Sequence, residues 1–229
     1  MIFNDFSNPK AMAELVAKML FEINAVNFSP KNPYRLASGI VSPVYIDCRK
    51  LISYARVRST IMDFAATIVL RNIGFESIDI IAGGETAGIP FAAFLAERLS
   101  LPMIYIRKKL KKHGQKTQIE GHISKGNRIL LIEDSITLGG SMLDFVKVIR
   151  DAGGIIHDGI GLFFYGIFPE IPIRLQENNI NLHYIVTWND ILKVAREQKT
   201  FDQSTLIEVE DFLNNPMQWS ASHGGISTI

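Results

Sequence analysis

Arg128-Ile-Leu-Leu-Ile-Glu-Asp-Ser-Ile-Thr-Leu-Gly-Gly-Ser-Met142 decides the fold, because an apolar run meets two adjacent carboxylates and then a small glycine-bearing turn. Ile129 to Ile132 read as a buried strand. Met142, Phe145, Val146 and Ile149 recur at helical spacing, which puts the turn Ser135 to Ser141 at a helix N-terminus. Unpaired backbone N–H groups and the positive end of the helix dipole favour a phosphate there. Gly139 and Gly140 let the backbone approach closely, and Thr137 and Ser141 add hydroxyl donors. Glu133 and Asp134 have no basic neighbour in sequence and suit the hydroxyls of a ribose. A phosphate on one side and a diol on the other describe a phosphorylated ribose. Acids at a strand end also cap turns, and glycine turns also serve dinucleotide folds and P-loops. Against these stand the absence of G-x-G-x-x-G after a strand and of G-x-x-x-x-G-K-[ST] anywhere.

Working outward, Met12, Leu15, Val16, Met19, Leu20 and Ile23 mark a first helix, broken by Asn27 to Pro33. Tyr34 to Ser53 alternate in strand fashion around Gly39 and Pro43. Ile61, Phe64, Ala65, Ile68 and Val69 mark a second helix. Then the units become regular: strand Ile78 to Ala82, turn Gly83 to Gly88, helix Ile89 to Leu99, strand Met103 to Ile106, the strand at Ile129 with its helix, and strand Ile160 to Phe164. Leu182 to Thr187 is a further strand, and Ile191 to Gln198 and Thr205 to Leu213 are helices. The polar tail from Asn214 is expected to be loose at its end. Such alternation predicts an α/β fold, a mostly parallel sheet flanked by helices, with its site at the strands' C-terminal ends. With no repeat or linker, residues 1–229 read as a single domain.

The 229 residues carry 24 Lys and Arg against 23 Asp and Glu, a balance that argues against a nucleic-acid-coating surface. No apolar run approaches membrane-spanning length and the N-terminus lacks a signal-peptide pattern, so a cytoplasmic location is expected, with no membrane and no nucleic acid among the partners. The single Cys48 excludes an internal disulfide and a cysteine-built zinc site, and reads as an inert thiol. His122, His157 and His183 lack metal-ligand spacing and read as surface or packing residues. Trp188 and Trp219 read as core or interface anchors. About twenty residues without clear periodicity separate the strands at Met103 and Ile129, long enough to be functional. Arg107, Lys108, Lys109, Lys111, Lys112 and Lys116 make this segment cationic, around His113 and Gly114. By itself it is equally a solvated basic loop or a nucleic-acid patch; over a pyrophosphate it would exclude water and meet developing charge.

The strand, paired acids, spacer, Thr137 and glycines resemble the phosphoribosyl pyrophosphate motif of type I phosphoribosyltransferases. Arg107-Lys108-x-x-Lys111-x-His113-Gly114, with Ile119-Glu120-Gly121 after it, resembles the catalytic loop of the orotate phosphoribosyltransferases. Leu36-Ala-Ser-Gly-Ile-Val-Ser-Pro-Val-Tyr-Ile-Asp-Cys-Arg-Lys-Leu-Ile-Ser53 resembles that family's S-G-x-x-S-P-x-Y-x-D-x-R segment, part of a small hood over the base. Gly83-Gly-Glu-Thr-Ala-Gly-Ile-Pro90 resembles its pyrophosphate-facing turn. The four segments run in the expected order from about Leu36 to Ser141.

This resemblance implies the type I phosphoribosyltransferase fold, with a hood contributed by about residues 1–55 and part of 165–229. It implies transfer of the phosphoribosyl group of 5-phosphoribosyl 1-pyrophosphate to orotate, with Mg²⁺ as cofactor and no dedicated protein metal cage. Lys111, Arg107 and His113 are the implied catalytic residues, with Lys108 beside them on the substrate. Glu133 and Asp134 would take the ribose, Ser135, Ile136, Thr137, Leu138, Gly139, Gly140 and Ser141 the 5'-phosphate. Thr86 and Ala87 would meet the pyrophosphate, and Tyr45 and Tyr165 the base side. A homodimer with shared sites is implied, since the family's loop reaches the neighbouring subunit. The chain departs from the family at Ala37, where Lys is expected, at Ala87, where Lys or Thr is, and near Tyr165, where an Arg is. A base carboxylate then needs backbone N–H groups and a cation from elsewhere, Arg174 being the first candidate. A purine or neutral pyrimidine as the base, and a non-enzymatic sensor of phosphoribosyl pyrophosphate, are the rival readings.

Overall fold

The computed structural model describes residues 8–74, 76–109 and 117–228. Its centre is a six-stranded sheet ordered β10-β9-β8-β5-β6-β7. The strands are β5 (Ile80–Gly84), β6 (Met103–Ile106), β7 (Ile119–Glu120), β8 (Arg128–Ile136), β9 (Ile155–Phe164) and β10 (Asn181–Thr187). All neighbours are parallel except β7, which pairs antiparallel with β6. In the middle, Ile81, Leu130, Leu131, Ile132 and Ile160 are buried, as expected where helices cover both faces. At the start of β8, Arg128 clasps β5: its backbone N–H and its guanidinium both donate to Asp79, at 2.7 and 2.6 Å. That holds the Asp79 carboxyl down at about 2.

Helix α3 (Gly88–Leu99) and helix α4 (Gly140–Asp151) cover opposite faces. A Cβ added at Gly83 would strike Gly88 and Ala92 of α3, whereas one on the next residue, Gly84, would strike the Phe145 ring of α4. Consecutive strand residues face opposite ways, so two glycines let two helices close on one strand. α4 buries Met142, Phe145, Val146 and Ile149, the four residues of the sequence stripe. Helices α1 (Pro9–Glu22) and α2 (Ala55–Asn72) and the C-terminal α6 (Trp188–Gln198) pack nearer the β10 edge. A Thr187–Asp190 capping box starts α6 and α7 (Gln203–Asn214) follows it.

Several expectations are corrected. Tyr34 to Ser53 is strand only in part: β2 (Tyr34–Arg35) pairs with β3 (Val41–Ser42) around Gly39 and β4 (Val44–Ile46) pairs with β1 (Val26–Phe28) after Pro43, but Cys48–Ile52 form a 3-10 helix. The break falls at Pro43, which has no N–H; the Ser42 hydroxyl bridges it, donating to the Val44 carbonyl at 2.8 Å and accepting the Val44 N–H at 3.2 Å. β8 continues through Ser135 and Ile136, because β9 lies alongside as far as Phe164, so the turn proper is shorter than Ser135 to Ser141. Helix α5 (Glu170–Glu177) was hidden by Pro169 and Pro172, both tolerated at the helix start. The tail from Asn214 is anchored: α8 (Pro216–Ser222) buries Trp219, and the Ser220 hydroxyl accepts the Val41 N–H at 3.0 Å. The Ile226 N–H donates to the Gly39 carbonyl, and Arg35 to that of Gly224. Among the described residues no helix is long and apolar enough to cross a membrane.

Candidate active site

At the C-terminal end of β8 a cleft of about 630 Å³ opens between the β8–α4 turn and the segment Leu36–Arg49. Its floor is Asp134 to Ser141, as the sequence pattern requires. Gly139 is the N-cap of α4 with φ +69°, a left-handed conformation that favours glycine, and a Cβ on Gly140 would meet nothing. The turn therefore presents the α4 N-terminus to the cleft through small residues.

The two acids separate. Asp134 lines the cleft, whereas Glu133 is 8% exposed and receives the Ser141 hydroxyl on both oxygens at 3.2 Å. Successive strand side chains point to opposite sides, so a pair adjacent in sequence cannot face one way. Burial first, and the Asp134 charge second, push the Glu133 carboxyl up to about 7; the Ser141 hydroxyl and Lys108 oppose this. Burial also raises Asp134, against which backbone N–H donors and Arg49 act.

The opposite wall is Leu36, Ala37, Ser38 and Tyr45 to Arg49. Leu36 to Gly39 form a turn closed by the Gly39 N–H on the Leu36 carbonyl at 2.9 Å, with Gly39 at φ +90°. The Tyr45 ring packs against Tyr34 at 5.2 Å. Tyr165 closes the cleft at its back, 4% exposed, its ring edge-on to Phe163 and Trp188. Burial pushes its phenol, and the Cys48 thiol beside the same cleft, well above their ordinary ranges. Cys48 is free and buried.

Of the residues singled out in the sequence, Tyr45, Lys108, Asp134, Ser135, Ile136, Thr137, Leu138, Gly139, Gly140, Ser141 and Tyr165 come together around this cleft. Thr86 and Ala87 sit on the turn after β5, whose Glu85–Thr86 peptide is cis; Glu85 accepts the Lys108 N–H at 2.7 Å, tying this turn to the root of the basic loop. Arg107 is turned to Glu120 at 3.5 Å and lies outside the cleft lining. Lys111 and His113 lie outside the described residues. Arg174 is exposed on α5 and does not line the cleft. Asp47 and Arg49 do line it and went unremarked, although the D-x-R end of the hood segment offered the signal. Among the described residues no group of three or more His, Cys, Asp and Glu forms a metal cage.

Residues 54–157 match the phosphoribosyl transferase domain model. The orotate phosphoribosyltransferase of Allorhizobium ampelinum is 61% identical over 224 residues, 98% of this chain and 97% of that protein. Among solved structures, the UMP synthase of Leishmania donovani superposes with a TM-score of 0.75 at 25% identity, over 88% of this chain but only 42% of that one. The orotate phosphoribosyltransferase of Aeropyrum pernix superposes with a TM-score of 0.68 at 28% identity, over 82% of this chain and 99% of that one. A relative this similar along nearly the whole length, on a sheet whose order puts Asp134 and a helix N-terminus at one cleft, leaves one assignment: the chain belongs to the orotate phosphoribosyltransferase family.

Proposed function

We propose that the cleft transfers the phosphoribosyl group of 5-phosphoribosyl 1-pyrophosphate to orotate, giving orotidine 5'-phosphate and pyrophosphate. The observation that carries this is the placement of Asp134 beside the N-terminus of α4, on one open cleft. In this reading the 5'-phosphate takes the backbone N–H groups and hydroxyls of Thr137 to Ser141. Asp134 accepts from the ribose diol. Glu133, behind it, joins through Ser141 or by exposing itself when substrate arrives. The pyrophosphate lies toward Thr86, Ala87 and Lys108, and the base against Tyr45 and Tyr165.

The reaction is a substitution at the anomeric carbon, and cleavage ahead of attack gives an oxocarbenium-like transition state. The chain's tasks are to align the base nitrogen and to stabilise departing pyrophosphate. Lys111, with Arg107, Lys108 and His113, takes the second task in our assignment; Arg107 must leave Glu120 to do so. Carboxylates of Asp134 and Asp47 and the hydroxyl of Thr137 are hard oxygen donors on one cleft, a set that suits Mg²⁺ held mostly by substrate oxygens and water. When bound, that ion neutralises part of the pyrophosphate charge.

We read the chain as one domain, with about residues 1–55 and part of 165–229 as its hood, working in the cytoplasm as a homodimer whose loops complete the neighbour's site. The strand pairs β1–β4 and β2–β3, the Leu36–Gly39 turn and the docked tail support the hood; the family resemblance supports the dimer. Pyrophosphate release from phosphoribosyl pyrophosphate with Mg²⁺, across orotate, uracil, hypoxanthine and adenine, tests the assignment. A preference for a neutral base, which Ala37 and Tyr165 favour, would replace orotate and keep the transferase.

A further inference from the structure

Orotate brings a carboxylate into the cleft, and a charge leaving water needs a partner. The two wall positions where the resemblance expects cations hold Ala37, a methyl, and Tyr165, a buried phenol. Among the described residues lining the cleft two cations remain, Lys108 and Arg49. Lys108 stands at the pyrophosphate end, its N–H on Glu85. Arg49 is on the wall opposite the β8–α4 turn, two residues beyond Asp47 on the 3-10 helix that follows β4. Its Nε donates to Asp47 at 2.9 Å and one Nη2 hydrogen to the Tyr45 hydroxyl at 3.0 Å, while its side chain is 63% exposed.

These two contacts consume one edge of the guanidinium. A guanidinium has five N–H donors in a fixed fork, so both hydrogens of Nη1 and the second of Nη2 stay available on the edge away from Asp47. That remaining edge, with one hydrogen from each Nη, can still pair bidentately with a carboxylate. Asp47 and Tyr45 thus hold the plane of Arg49 without spending its recognition face, and Tyr45 belongs at once to the base wall and to the Arg49 clamp. We propose that Arg49 is the residue that binds the carboxylate of the base and sets the preference for orotate over uracil, with Asp47 as its positioning residue. This rests on the phosphoribosyl-transfer reading of the same cleft.

Orotidine 5'-phosphate and uridine 5'-phosphate differ only by that carboxylate, so calorimetry of both nucleotides on wild type and on Arg49→Gln isolates it. Arg49→Gln is expected to weaken orotidine 5'-phosphate by about 10- to 100-fold, the range for hydrogen bonds to a charged group, and to leave uridine 5'-phosphate within about twofold. Arg49→Lys should recover part of the loss, a point charge replacing the fork. Equal losses for both nucleotides would make Arg49 a structural residue and overturn the proposal. So would unchanged binding of orotidine 5'-phosphate. Wild type that binds neither nucleotide would defeat the phosphoribosyl reading itself, an outcome distinct from a failure of Arg49 alone.

Discussion

Glu133 shows what a single buried carboxyl does to the free protein. Its unfolded counterpart titrates near 4.5 and the folded group near 7, so between these values the folded chain keeps a proton that the unfolded chain has lost. Stability therefore falls as pH rises from 4.5 to 7 and stays lower above, a loss of up to about 3 kcal/mol. Glu133→Gln keeps the acceptor for Ser141 and removes the ionisation. Thermal unfolding should show the variant more stable than wild type at pH 8, the gap closing toward pH 4.5; an offset equal at all pH would refute this. Asp134 faces the cleft, and Asp134→Asn should weaken phosphoribosyl pyrophosphate by about 10- to 100-fold, the range for hydrogen bonds to a charged acceptor, with the fold intact. Unchanged affinity by calorimetry would return it to capping the turn. The identity and order of these two acids were legible in the sequence. Their division was not, because they were read as one motif while the strand's two-residue period sends neighbours to opposite sides.

At the scale of elements, regular βα units were readable because each buries a full stripe, as α4 does with its four apolar residues. Helix α5, which buries only Ile171 and Leu175 and carries two prolines at its start, was not, and the tail α8 hid a single deep anchor, Trp219, in polar sequence. The close approach of α3 to β8 was not readable either. A Cβ at Gly88 would lie 2.7 Å from the Ile132 carbonyl oxygen, so Gly88→Ala must push helix from strand. Overpacking of this kind costs about 1–3 kcal/mol, to be read as a lower denaturation midpoint with unchanged slope. On the far wall, Ser220→Ala strips the acceptor from a buried Val41 N–H, at about 1–3 kcal/mol. Because Val41 continues the turn that carries Ala37 and Ser38, orotidine 5'-phosphate should bind this variant less tightly while ribose 5-phosphate binds as before; equal losses would show that the tail supports the fold as a whole.

Over the whole molecule, the proposed sharing of sites makes a mixing experiment decisive. Lys111→Ala and Asp134→Asn, assayed at a phosphoribosyl pyrophosphate concentration where each is inactive alone, should regain part of wild-type activity when subunits are exchanged, since some hybrids hold one intact composite site. Confirmed exchange without recovered activity would assign each site to one chain. The sequence conveyed the sheet and the turn that opens α4 because both are local in the chain. The other wall depends on the hydrogen bond from Val41 to Ser220, 179 residues apart. During synthesis the turn after β8 is made well before Ser220, so the opposite wall of the cleft is braced last. On the proposed reading, a chain cut short by a premature stop or a protease within α8 would keep the means to bind the sugar-phosphate but lose its support for the base. In a cell, such fragments would act as sinks for an activated ribose rather than as weak copies of the enzyme.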